Sequence, residues 1–136
     1  MSNTPINLSE IKPLTEGKRI LLIDDESEML ELFSTIFKRL FQEVVCAENA
    51  QEALEAYRQQ GDFHLVMTDL HMPYMSGLEL AGRIKKINPD QLIVLVTGST
   101  TGVDIAAEEL SDMAGVIHKP IDRNDVYRIL KQVFGD

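Results

Sequence analysis

Asp69 closes the apolar run Leu65-Val66-Met67-Thr68 and opens the stretch Asp69-Leu70-His71-Met72-Pro73-Tyr74-Met75-Ser76-Gly77. Asp24 and Asp25 follow a second such run, Ile20-Leu21-Leu22-Ile23, and Thr97 and Lys119 end two more. If these runs are neighbouring strands of one parallel sheet, a single sheet edge collects three carboxylates, a hydroxyl and an ammonium. Three carboxylates in one place repel one another: at an effective dielectric of about 20, two unit charges 4 Å apart cost roughly 4 kcal/mol, so the cluster needs a cation. Oxygen donors select a hard divalent ion, Mg²⁺ with Mn²⁺ as the substitute. Such an ion lets an anionic carboxylate be approached by an anionic phosphoryl donor. Asp69 is then the candidate nucleophile, and Lys119 and Thr97 complement the charge on the transferred group. Taken singly, an Asp after a strand is a helix cap, Thr97 a turn former and Lys119 a solvated turn residue. Capping does not explain four strand ends that carry complementary groups.

The elements that must position these residues follow from periodicity. From Lys18 onward, short apolar runs alternate with segments of helical period, which predicts an α/β fold, a parallel sheet with helices on both faces. Five strands are expected, at Arg19 to Ile23, Glu43 to Cys46, Phe63 to Thr68, Gln91 to Val96 and Gly115 to His118. Five helices flank them. The first runs from Ser27 to Leu40; the second is capped by Asn49 with Glu52 and stopped by Gly61. The third is capped by Ser76 with Glu79 and ended by Asn88-Pro89, the fourth starts at Thr101 with Asp104, and the last is capped by Asp122. With the strand order 2-1-3-4-5, the order reverses between strands one and three. Ligands of open parallel sheets bind at that place, outside the carboxyl ends of the strands. Asp24, Asp25 and Asp69 fall there.

The chain of 136 residues suits one domain, with residues 1–17 an extension expected to be mobile and 18–136 the folded unit. A hydrophobic fraction of 44% with 26% charged residues is that of a soluble globular protein. Membrane-spanning runs and a secretory leader are missing from it, so a cytoplasmic location is expected. The net charge of -9 argues against direct nucleic-acid binding. The single cysteine, Cys46, reads as a small buried strand residue. His64, His71 and His118 lack zinc-site spacing.

The chain resembles the receiver domain of two-component response regulators from Lys18 nearly to its end. The resemblance rests on Asp24-Asp25, on Asp69 followed by Met72-Pro73, Met75 and Gly77, on Thr97-Gly98 and on Lys119-Pro120. It implies a flavodoxin-like receiver fold in which Asp69 accepts a phosphoryl group from a histidine kinase or phosphotransfer domain. By the same resemblance Asp25 ligates Mg²⁺ directly, Asp24 mainly through water, and His71 through its backbone carbonyl, while Thr97 and Lys119 bind phosphoryl oxygens. His71 and Ser99 take the positions that tune phosphoryl lifetime, and the Lys119-Pro120 bond is expected to be cis. Output is expected through a changed surface that meets a downstream protein, with the fourth helix, fifth strand and fifth helix also able to pair two copies. The aromatic switch position of the fifth strand holds Val116, so rearrangement is expected instead in Gly98-Ser99-Thr100-Thr101-Gly102 and the fourth helix. Turnover of a separate substrate is not expected. A dehalogenase-type hydrolase needs Asp-x-Asp, whereas Glu26, Ser27 and His71 stand two residues beyond the three acids, and no nucleotide-binding glycine motif is present. The alternative is a degenerate receiver that binds a partner without phosphorylation.

Overall fold

Aliphatic runs bounded by charged or turn-forming residues become strands, and the segments of helical period between them become crossovers. The computed structural model describes residues 6–98 and 111–135. In chain order they form α1 (Leu8–Thr15), β1 (Arg19–Ile23), α2 (Ser27–Lys38), β2 (Glu43–Ala47), α3 (Ala50–Gln60), β3 (Leu65–Asp69), α4 (Gly77–Ile87), β4 (Ile93–Thr97), β5 (Gly115–His118) and α5 (Arg123–Phe134). The strands make one parallel sheet in the order β2-β1-β3-β4-β5, the expected class and order. The helix expected from Thr101 and Asp104 lies outside the described residues, as do Ser99 and the rest of that loop beyond Gly98.

Alternation along each strand divides the core into two layers. Ile20, Leu22, Leu65, Met67, Val94 and Val96 pack under α2 and α5. Leu21, Ile23, Val66 and Ile93 pack under α3 and α4. The central strands β3 and β4 are buried along their whole length, as two-sided coverage requires. The outer strands are not, and here the structure corrects one expectation. Cys46 is exposed, because β2 is the sheet edge and α2 covers its side only in part.

Caps fall where the turn residues predict. Asn49 accepts the Glu52 N–H at 2.8 Å and Ser76 the Glu79 N–H at 3.2 Å. The Glu52 carboxylate, however, accepts from Glu48 N–H, one residue before the cap. Asp122 and Asp125 close a reciprocal box at the start of α5.

Within the extension, Leu8–Thr15 is a docked helix where a mobile tail was expected. Ile11 is fully buried in the layer formed by α2 and α5, the Thr15 hydroxyl donates to Leu40 O at 2.9 Å, and the Ile6 N–H donates to Asn124 Oδ1. The Asn7 N–H, bonded to the Glu10 carboxylate at 2.9 Å, starts the helix despite Pro13. Burying one Ile contributes about 2–3 kcal/mol, enough to hold a helix too short to persist alone. Among the described residues no helix is long and apolar enough to cross a membrane.

Candidate phosphoryl-transfer site

Register decides which residues meet. Ile23 of β1 lies beside Thr68 of β3, Asp69 beside Val96 of β4, and Thr97 beside His118 of β5, so the next residue of each strand opens onto one edge. Asp24 leaves β1 and is buried; its Oδ1 accepts the Glu26 N–H at 2.9 Å and so turns the chain into α2. Asp25 is exposed beside it. Asp69 ends β3 and is buried, and Thr97, also buried, ends β4. Lys119 follows β5; its N–H donates to Thr97 O at 2.8 Å, and the Lys119-Pro120 bond is cis, as expected.

One carboxylate oxygen from each of Asp24, Asp25 and Asp69 lies within 4.8 Å of the other two. The Lys119 ammonium stands 3.5 Å from Asp24 Oδ2, 3.5 Å from Asp69 Oδ1 and 3.4 Å from Glu26 Oε1. Burial, and then the neighbouring Asp24 charge, push the Asp69 carboxyl up to about 6, against the pull of Lys119. Burial likewise raises Asp24, opposed by the Glu26 N–H and Lys119. Burial pulls Lys119 down, but the charges of Asp69, Asp24 and Glu26 outweigh it and leave its affinity for a proton raised. One ammonium does not balance this many carboxylates. An all-oxygen donor set with an excess of negative charge, open to solvent at Asp25, fits a hard divalent cation such as Mg²⁺.

The spacing from Asp69 to Gly77 has a steric reason. The Gly77 N–H donates to Leu70 O at 2.8 Å, and a β-carbon at Gly77 would come within 2.3 Å of Asp69 O. Only glycine lets α4 start against the end of β3. Tyr74, with φ 70° and a fully exposed ring, tops the same loop.

A family model of the response regulator receiver domain matches residues 20–131. The chain belongs to this family. The receiver protein CpdR of Brucella abortus is 31% identical over 119 residues, covering 85% of this chain and 96% of that relative. A response regulator receiver protein of Anaeromyxobacter is 31% identical over 104 residues, 76% of this chain, yet this chain spans only 43% of its length. Among solved structures, response regulator TrrA of Thermotoga maritima in complex with Mg(2+)-BeF superposes with a TM-score of 0.75 at 31% identity, covering 85% of this chain and 98% of that one. The chain is thus a receiver domain of two-component signalling, and its five-stranded sheet is the receiver sheet.

Of the receiver residues singled out in the sequence, Asp24, Asp25, Asp69 and Lys119 converge in space, and Thr97 ends the adjoining strand. His71 lies on the loop after Asp69 with its side chain exposed, outside the carboxylate cluster. His64 precedes β3, where its Nδ1 accepts the Arg19 N–H, and His118 is exposed on β5. Glu26 was not anticipated. Its signal was its place, a third consecutive acid after β1 at the helix start.

Proposed function

We propose that the protein is a phosphorylation-controlled signalling receiver in which Asp69 takes a phosphoryl group from the phosphohistidine of a histidine kinase or phosphotransfer domain. The observation that carries this reading is the Lys119 ammonium seated 3.5 Å from both Asp24 and Asp69, beside three converging carboxylates. An Asp69 carboxylate oxygen attacks phosphorus; the new O–P bond forms as the P–N bond breaks. The departing imidazole keeps the electron pair and takes a proton from solvent. With its carboxyl near 6, Asp69 is mostly ionised at pH 7 to 8 and available as the nucleophile.

Asp24, Asp25 and Asp69, with the His71 backbone carbonyl, would hold Mg²⁺ or Mn²⁺, which when bound supplies positive charge to the oxygens of the transferred group. The Mg(2+)-BeF complex of the Thermotoga relative supports that assignment. Lys119 follows the phosphoryl oxygens as a point charge, and Thr97 presents its hydroxyl from β4. Because Asp24 and Asp69 are buried, these charges act where water screens them little.

Output passes through a changed surface to a downstream protein partner, without direct nucleic-acid contact, in keeping with the net charge of -9. The face made by β5 and α5, with the helix expected after Thr97, is where a target or a second copy docks. A groove of about 260 Å³ lies there, between Val116 and His118 of β5 and Asp125, Arg128 and Gln132 of α5. The second reading, a receiver that binds a partner without being phosphorylated, draws on Val116, which offers β5 no ring to swing.

Intact mass after incubation with acetyl phosphate and Mg²⁺ separates the two readings, with chelator and Asp69→Asn as controls. One phosphoryl mass gained only by the native, metal-containing sample is the expected result. No gain with acetyl phosphate or with a phosphorylated histidine donor would overturn the first reading in favour of the second.

A further inference from the structure

The Glu26 carboxylate forms an ion pair across the site rather than a cap on its own helix. Glu26 is the N-cap residue of α2, with extended backbone at φ -95° and ψ 111°, yet its side chain makes no capping hydrogen bond. A carboxylate at a helix start ordinarily turns toward the free N–H groups there. This one reaches across the site to Lys119 Nζ at 3.4 Å, with its side chain 64% exposed against 19% for Lys119 and 2% for Asp24. Its position is set from inside the site, since the Glu26 N–H donates to Asp24 Oδ1.

Lys119 therefore has three anionic partners at nearly equal range, two inside the site and one at its mouth. A phosphoryl group on Asp69 must draw the ammonium onto its own oxygens. Asp24 and Asp69 remain fixed at the bottom of the site, but Glu26 competes for the ammonium from the solvent side and adds a negative charge on the donor's approach.

We propose that Glu26 is a positioning residue that restrains Lys119 in the unphosphorylated state and so weakens the site's hold on a phosphoryl group. This deepens the phosphoryl-acceptor reading and rests on it. A solvent-exposed ion pair is a modest competitor, so relieving it strengthens binding by about two- to fivefold.

The test uses beryllium fluoride with Mg²⁺ as the probe, titrated by NMR into the intact chain, together with Mg²⁺ alone. Glu26→Gln keeps the size of the side chain and removes its charge; it is expected to bind the probe about two- to fivefold more tightly, with Mg²⁺ affinity and urea midpoint unchanged. Glu26→Asp keeps the charge but is one methylene too short to reach Lys119, and is expected to follow Glu26→Gln. Glu28→Gln removes an exposed charge from the same helix turn and is expected to match the native chain. The Lys119 side-chain resonance should shift in Glu26→Gln before any probe is added. Equal probe affinity in native and Glu26→Gln chains overturns the inference, as does a Glu26→Asp chain that behaves as native. Weaker Mg²⁺ binding in Glu26→Gln overturns it in another way, by placing Glu26 in the metal site. If the native chain itself does not bind the probe, it is the phosphoryl-acceptor reading that fails.

Discussion

Gly77 lies so close to Asp69 that a β-carbon on it would sit 2.3 Å from the Asp69 carbonyl oxygen. The first residue of α4 thus abuts the backbone of the last residue of β3. Any side chain at position 77 must push α4 outward or Asp69 inward. Gly77→Ala is expected to lose about 1–3 kcal/mol in urea unfolding and to weaken binding of Mg²⁺ with beryllium fluoride. Unchanged stability and binding would show that the close approach does not position Asp69.

The site costs stability when it is charged and empty of metal. Asp69 has its carboxyl pushed from 3.8 up to about 6, so the folded state holds this proton more tightly than the unfolded chain. Between those values the folded state binds more protons, and stability falls as pH rises through the window, with the full cost present above it. Asp69→Asn removes the cost. In chelator at pH 7.5 the variant should be more stable than the native chain by up to about 3 kcal/mol, the pull of Lys119 being already contained in the shift. The difference should shrink toward pH 4. Urea midpoints across that range provide the measurement, and a gap that widens on acidification would contradict it.

A divalent ion that binds the folded state alone raises its stability by mass action, about 2.7 kcal/mol at a hundredfold excess over its dissociation constant. Thermal melting is therefore expected to shift upward on adding Mg²⁺ and to return on adding chelator. Asp24→Asn and Asp25→Asn should blunt the shift, since each removes a carboxylate from the cluster. A melting temperature indifferent to Mg²⁺ in the native chain would count against the metal site.

The α1 helix tests whether the segment before the sheet is part of the folded unit. Ile11 is fully buried against α2 and α5, whereas Leu8 on the same helix is 36% exposed. Ile11→Ala should cost about 2–5 kcal/mol and Leu8→Ala under about 0.5 kcal/mol, read from urea midpoints. Equal, small effects would mean that α1 is only loosely attached.

Much of the receiver was legible before its structure. Each buried strand is a local apolar run, and α3, α4 and α5 announce their starts with Asn49, Ser76 and Asp122, because capping and alternation act over a few residues. Parallel strands deliver the residues after their runs to one edge, so Asp24, Asp25, Asp69, Thr97 and Lys119 could be named as a set. What the string of residues could not carry were quantities that depend on distant partners. Cys46 sits in as apolar a run as the central strands, and its exposure depends on how little of the β2 edge α2 covers. Ile11 shares a mostly polar segment with Leu8 and Leu14, and its weight comes from the layer that α2 and α5 build around it. Glu26 reads as one more surface acid until β5 brings Lys119, 93 positions later, to within 3.4 Å of it. Local patterning determined which residues stand at the end of each strand; tertiary packing decided their burial, and with it the raised Asp69 carboxyl and the sharing of one ammonium among three carboxylates, because charges act through space and not along the chain.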